Sequence, residues 1–126
     1  MKHFRDDKPI YLQIKEELEE AIISQRLAEG AGVMSIRALS THYKVNPNTI
    51  SNAFAELESS GIIFKKRGIG FFVQDGAREK LLELKKRVFL EKFLEEVVEK
   101  AKIVNINLEE ILIEITKRYN KGEKWS

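Results

Sequence analysis

Lys44-Val45-Asn46-Pro47-Asn48-Thr49 is the stretch that decides how this chain is read. Asn46 is a strong N-cap, because its side-chain oxygen can accept a bond from an unpaired N–H of a helix's first turn. Pro47 suits the first helical position, where no N–H is needed and φ is already set. A helix therefore starts here, and its next exposed side chains, Asn48, Ser51 and Asn52, are uncharged hydrogen-bonders. Amides at the N-terminal end of a helix suit the reading of base edges in a DNA major groove.

Outward from that start, Ile50, Ala53, Phe54 and Leu57 form one apolar stripe at helical spacing. The helix is predicted to run from Pro47 to about Ser60, with Gly61 placed to end it. A rotation of about 100° per residue turns Asn48, Asn52, Ala55 and Ser59 to the opposite side, with Thr49 and Ser51 on the flanks. None of these is acidic, and Glu56 and Glu58 come only later in the helix. An acid near the groove-reading end would be repelled by phosphates.

Before this helix, Ser35 is placed to cap a second one reaching Tyr43, with Ile36, Leu39 and Tyr43 as its apolar face. A first helix is predicted over residues 9–26, on the stripe Ile10, Ile14, Leu18, Ala21 and Ile22. Pro9 suits its first turn, Asp6 or Asp7 its cap, and Gly30 and Gly32 break the chain after it. After Gly61, Ile62–Lys66 and Phe71–Gln74 read as strands joined by Arg67-Gly68-Ile69-Gly70, a β-hairpin. Lys65, Lys66 and Arg67 make its tip basic, and the glycines let the turn approach another surface closely. Three helices followed by a basic hairpin describe a winged helix-turn-helix over residues 1–75. The fold class is mainly α with a small β-hairpin.

The composition sets the outer limits. A chain of 126 residues makes one domain, or a small domain with an appendage, and 43% hydrophobic residues can build a core. Without cysteine there is no disulfide framework and no thiolate chemistry. The start has no apolar h-region and no run approaches the length of a membrane span, so a cytoplasmic protein is expected. Net charge is only +2 but unevenly placed. Residues 33–74 carry five Lys/Arg against two Asp/Glu, whereas residues 1–32 carry five against seven and residues 75–126 twelve against eleven. The basic segment is the one that holds the Asn-Pro-Asn-Thr run, as a polyanion partner would require.

Catalysis finds little support. The two histidines are His3 and His42, and the Glu pairs lie on lysine-interleaved helix faces. Gly68-Ile69-Gly70 is too short for a dinucleotide fingerprint. Neither a cofactor nor a metal is expected, and an enzyme is not.

Residues 76–126 read as a helical tail. One helix is predicted over residues 77–102 and a second over residues 108–119. Asn107 caps the second, with Glu110 at the capping-box position. Leu81, Leu84 and Val88 make one stripe of the first tail helix, and Phe89, Phe93 and Val97 a neighbouring one. The second helix offers Leu108, Ile111, Leu112 and Ile115. Apolar residues on more than one face exceed what a single packing contact covers. A homodimer through Leu81, Leu84, Val88, Phe89, Phe93, Val97, Ile111 and Ile115 is the expectation.

Five stretches in order resemble the DNA-binding domain of the GntR family of bacterial transcription regulators. They are Pro9–Ile14, Ser35–Ser40, Val45–Ser51, Leu57–Ile63 and Lys66–Val73. The Asn-Pro-Asn-Thr variant and the short tail resemble the YtrA subfamily. That resemblance implies a small cytoplasmic repressor that binds double-stranded DNA and dimerises through two C-terminal helices. A two-fold dimer would present its recognition helices to an inverted repeat. The resemblance places DNA contacts at Arg37, Asn48, Thr49, Ser51, Arg67 and Gly68, with the wing tip entering the minor groove, and the basic charge of the hairpin tip adds Lys66. Asn52 joins them from the rotation argument, although arginine or lysine is frequent there in the family. Met34, Ala38, Glu29, Ala31 and Gly32 also depart from the family pattern. No segment is long enough for the ligand-binding domain of the larger members, so a small-molecule effector is unassigned. The alternative from another class is a winged-helix protein-interaction module whose basic hairpin meets an acidic protein.

Overall fold

The first helix, α1 (Ile10–Ile23), begins without a side-chain cap, and Pro9 stands just before it rather than in its first turn. The expected Asp6 or Asp7 cap is replaced by a different device. The buried Gln13 amide donates to the Arg5 and Lys8 carbonyls at 2.7 Å each, and its oxygen accepts from the Arg5 N–H at 2.9 Å. One side chain thus folds the entering segment back over the helix and satisfies its backbone groups. This computed structural model describes residues 4–123, so His3 lies outside the described residues. α1 ends three residues short of the expected 26, because Gln25 takes a left-handed φ of 65°.

Helix α2 (Ile36–Tyr43) starts where Ser35 Oγ accepts from the Ala38 N–H at 3.0 Å. It stops at Lys44, which adopts a left-handed conformation with φ 57°. The Val45 N–H then reaches back to the Ser40 carbonyl, and Ser40 Oγ donates to the Val45 carbonyl at 2.9 Å. This Schellman-type closure fixes the angle at which α3 (Pro47–Ser59) leaves α2. The same device ends α3: Gly61, with φ 75°, lets the Ile62 N–H bond to the Leu57 carbonyl.

Strands β1 (Ile63–Lys66) and β2 (Gly70–Val73) pair antiparallel, Ile63 opposite Val73 and Lys66 opposite Gly70. A short segment before α2 adds to the free edge of β2, with Gly32 bridging Phe72. The Val33 N–H donates to the Phe71 carbonyl at 2.8 Å, and the Val73 N–H to the Ala31 carbonyl at 3.0 Å. Ala31 and Gly32 therefore act as edge-strand residues, where the sequence suggested only a break.

Ile14, Leu18, Ile22, Leu39, Tyr43, Ile50, Phe54, Leu57, Ile62, Ile63 and Val73 form the core of this unit, joined by Ala77 and Leu81. Phe54 meets Phe71 edge-on with ring centroids 4.9 Å apart, which ties α3 to the hairpin. The first turn of α4 (Ala77–Val88) is held by Glu29. Its carboxylate accepts from the Gly76 N–H at 2.9 Å and the Arg78 N–H at 3.1 Å, while Arg78 Nε donates to the Ile23 carbonyl at 2.7 Å.

The chain divides into two compact units, one ending at Leu84 and one starting at Lys85. In the second, a π-helical turn (Phe89–Phe93) precedes α5 (Leu94–Ile103), where one regular helix was expected. The Leu94 N–H bonds to the Phe89 carbonyl, five residues back, and the Phe89 and Phe93 rings stack at 5.4 Å. α5 ends at a left-handed Asn105, and α6 (Leu108–Glu123) follows. Asn107 Oδ1 accepts from the Glu110 N–H at 2.9 Å, the expected cap. An apolar cleft of about 470 Å³ lies between α5 and α6, lined by Leu94, Val98, Ala101, Ile111, Leu112 and Ile115 among others.

Candidate nucleic-acid interface

The front of α3 is built by its own cap. Asn46, extended with φ −64° and ψ 139°, accepts from the Asn48 N–H through Oδ1 at 2.8 Å. The remaining N–H groups of the first turn point away from the helix, and the positive end of its dipole with them. Asn48, Ser51 and Asn52 are exposed and Thr49 is half-buried, whereas Ile50, Ala53, Phe54 and Leu57 are buried behind them. The outward face expected from rotation is thus realised: small, uncharged and capable of both donating and accepting.

Of the two acids of α3, Glu58 is exposed near the C-terminal end of the helix and Glu56 is drawn aside. Glu56 Oε1 lies 3.9 Å from Lys15 Nζ on α1, and Lys15 also reaches Glu19 at 3.8 Å. Glu56 is thereby turned toward α1. Arg37 is exposed in the first turn of α2. His42 is exposed near the end of α2 and lies edge-on against Tyr43, 4.9 Å between centroids. Burial and Glu17 together push the Tyr43 hydroxyl well above its ordinary pKa, so it stays a donor to Glu17 at 3.0 Å.

The hairpin has two distinct faces. Ile63, Lys65, Phe71 and Val73 share the inner one, with Lys65 Nζ 5.8 Å from the Phe71 ring centre. On the outer face Phe64 and Phe72 stack with centroids 6.0 Å apart. Lys66 lies across them, its Nζ 4.6 Å from the centre of Phe72 and 6.0 Å from that of Phe64. Cation–π contact holds the Lys66 charge in place on the wing. Arg67, Gly68 and Ile69 form the tip, closed by the Ile69 N–H donating to the Lys66 carbonyl at 3.0 Å. Gly68 has φ 78°, a value a β-carbon would strain. Arg67 and Gly68 are exposed, as is Ile69, a residue to which the sequence assigned no contact.

Of the tail residues singled out from the sequence, Leu84, Val88, Phe89, Phe93 and Ile115 are exposed, and Val97 and Ile111 are half-buried. Leu81 differs from the others: it is 1% exposed, inside the core of the first unit. Its position one helical turn after Ala77 carries it onto the winged domain. Among the described residues, no cluster of His, Asp and Glu could hold a metal ion, and no helix is long and apolar enough to cross a membrane.

Residues 10–73 match the profile of the bacterial regulatory proteins of the gntR family. The uncharacterized HTH-type transcriptional regulator YhcF of Bacillus subtilis (strain 168) is 36% identical over 119 residues, covering 94% of this chain and 96% of that protein. The HTH-type transcriptional repressor YtrA of the same organism is 34% identical over 107 residues, covering 85% and 82%. A GntR family transcriptional regulator from Listeria monocytogenes has a solved structure that superposes with a TM-score of 0.74 at 32% identity, covering 90% of this chain and 98% of that one. These relatives are transcription regulators and not enzymes. The matched residues span the capped helix α3 and the basic hairpin, and this chain belongs to the GntR family of bacterial transcription regulators, with the YtrA-like subfamily as its place within it.

Proposed function

We propose that this protein is a cytoplasmic repressor that binds an inverted-repeat operator as a homodimer. The observation that carries the reading is the exposed, acid-free N-terminal half of α3, with Asn48 and Asn52 outermost, set rigidly on a buried stripe. In this reading α3 lies in the major groove and its two asparagines read base edges, while Thr49 and Ser51 contact edges or phosphates at the flanks. Arg37, Lys66 and Arg67 neutralise phosphates, and Gly68 lets the wing approach the minor groove closely. A relative named as a transcriptional repressor supports the sign of regulation.

Support for the homodimer comes from the second unit. Among its described residues only Ala101 is buried, while Phe89 and Phe93 are 52% and 57% exposed. Apolar surface left uncovered on this scale marks an association site, and a two-fold pair is the commonest solution. Half-sites would then lie about one helical turn apart, or a multiple of it.

Selection of bound fragments from the source genome, followed by titration of the selected duplex against random duplex at several salt concentrations, tests the proposal. A selected motif with two-fold symmetry, bound at least about a thousandfold more tightly than random DNA, is the expected result. Equal affinity for both duplexes would refute sequence-specific repression.

A further inference from the structure

Ile69 is 73% exposed, the most exposed large apolar side chain of the first unit among the described residues. It contributes nothing to the core, so the fold gives no reason for an isoleucine there. Its setting is unusual. Gly68 and Gly70 flank it with φ of 78° and 141°, and a β-carbon at either would meet no heavy atom within 4 Å. The tip is therefore thin, bare backbone on both sides of one stiff, β-branched side chain. The Lys66 carbonyl fixes its N–H at 3.0 Å, while the Lys66 ammonium is drawn back over Phe72. What the wing presents foremost is Arg67 and Ile69.

Such a tip fits a minor groove about 6 Å wide. The floor of that groove shows only acceptors at A·T and T·A, and a G·C pair adds the guanine N2 amine, a donor. An isoleucine side chain laid on the floor strips water from that amine and offers no acceptor in return, so the donor is left unsatisfied. At A·T the same side chain covers a narrower, smoother floor. We infer that Ile69 is the base-pair discriminator of the wing, excluding G·C from the minor-groove segment it covers. This rests on the DNA-binding reading above and adds to it a preference that α3 does not supply.

The experiment uses the full-length protein and its selected operator. Hydroxyl-radical footprinting locates the minor-groove segment covered by the wing. There, A·T pairs are replaced by G·C or by inosine·cytosine, which keeps the major-groove edge of G·C but lacks the N2 amine. The expected result is that inosine·cytosine binds within about twofold of A·T, with G·C weaker by roughly fivefold or more. Ile69→Val should keep this preference. Ile69→Asn, whose carboxamide oxygen can accept from the amine, should abolish it, with unchanged circular dichroism confirming that the variant is folded. Equal binding of G·C and inosine·cytosine by the unaltered protein overturns the inference, as does an Ile69→Asn variant that still rejects G·C. A protein that selects no duplex over random DNA overturns the repressor reading first, and this inference with it.

Discussion

Replacing Arg67 by alanine isolates one charge at the wing tip. Arg67 is exposed and lies outside both strands, so its removal leaves the register from Ile63–Val73 to Lys66–Gly70 intact. Lys66 would be a poorer choice, because its ammonium lies against the Phe64 and Phe72 rings and its loss removes those contacts as well as the charge. On B-DNA each neutralised phosphate contributes about −0.9 to the slope of log K against log salt. A homodimer loses two such contacts in the Arg67→Ala variant, so the slope should become shallower by about 1.8. Between roughly 50 and 200 mM salt, a fourfold change, the unaltered protein should therefore lose about 12-fold more affinity than the variant. Fluorescence anisotropy of a labelled operator duplex across that range measures both slopes. An unchanged slope refutes a phosphate contact at Arg67. A change of about 0.9 would mean that only one wing engages each duplex, against the two-fold arrangement.

Other outcomes follow from the same geometry. Asn48→Ala or Asn52→Ala should each cost about 1–3 kcal/mol in operator affinity and relax selection at one position; if the double variant selects the unaltered motif, α3 is not the reader. Glu29 is held below the ordinary carboxylate pKa of 4.5, chiefly by the Gly76 N–H and then by that of Arg78. Its stabilising effect is complete above that value and is lost as pH falls through the lower folded one. Thermal melting below pH 4.5 should thus show a smaller acid-induced loss in Glu29→Gln than in the unaltered protein. Truncation after Leu84 should give a folded monomer with much weaker operator binding by sedimentation and anisotropy. Truncation after Gly76 should instead remove Leu81 from the core as well, at an additional cost of about 2–5 kcal/mol in unfolding free energy.

Local signals made most of the winged domain legible in the sequence. Asn46-Pro47 and Ser35 are caps whose chemistry does not depend on distant residues, and the stripe Ile50, Ala53, Phe54, Leu57 needs only the helical period. Non-local bonds were not legible. Glu29 finds Gly76 and Arg78 nearly fifty residues away, and Gly32 finds Phe72 at forty. Both looked like mere departures from a loop pattern, because their role exists only once the hairpin has returned beside them. Leu81 shows the converse error. It fits the tail's stripe with Leu84 and Val88, but a stripe does not say which residue the core has already taken. The π-turn had no signal either, since Phe89 and Phe93 sit four apart in a regular helix too.

The second unit poses an energetic question that the proposed homodimer would answer. α6 has 16 residues, barely beyond the length below which isolated helices are marginal in water. Ordering each residue costs about 1–2 kcal/mol of backbone entropy. A unit whose buried set among the described residues is Ala101 alone cannot offset that from within. In the proposed dimer the missing burial comes from the other copy, so tail folding and association draw on the same apolar surface. Operator binding enters that balance as well. One basic segment of five Lys/Arg against two Asp/Glu is a weak anchor on DNA, but two joined segments bind with the second held at high local concentration. Any ligand that binds only the dimer stabilises it by mass action. In the proposed dimer the operator is such a ligand, so DNA affinity and tail stability should rise and fall together.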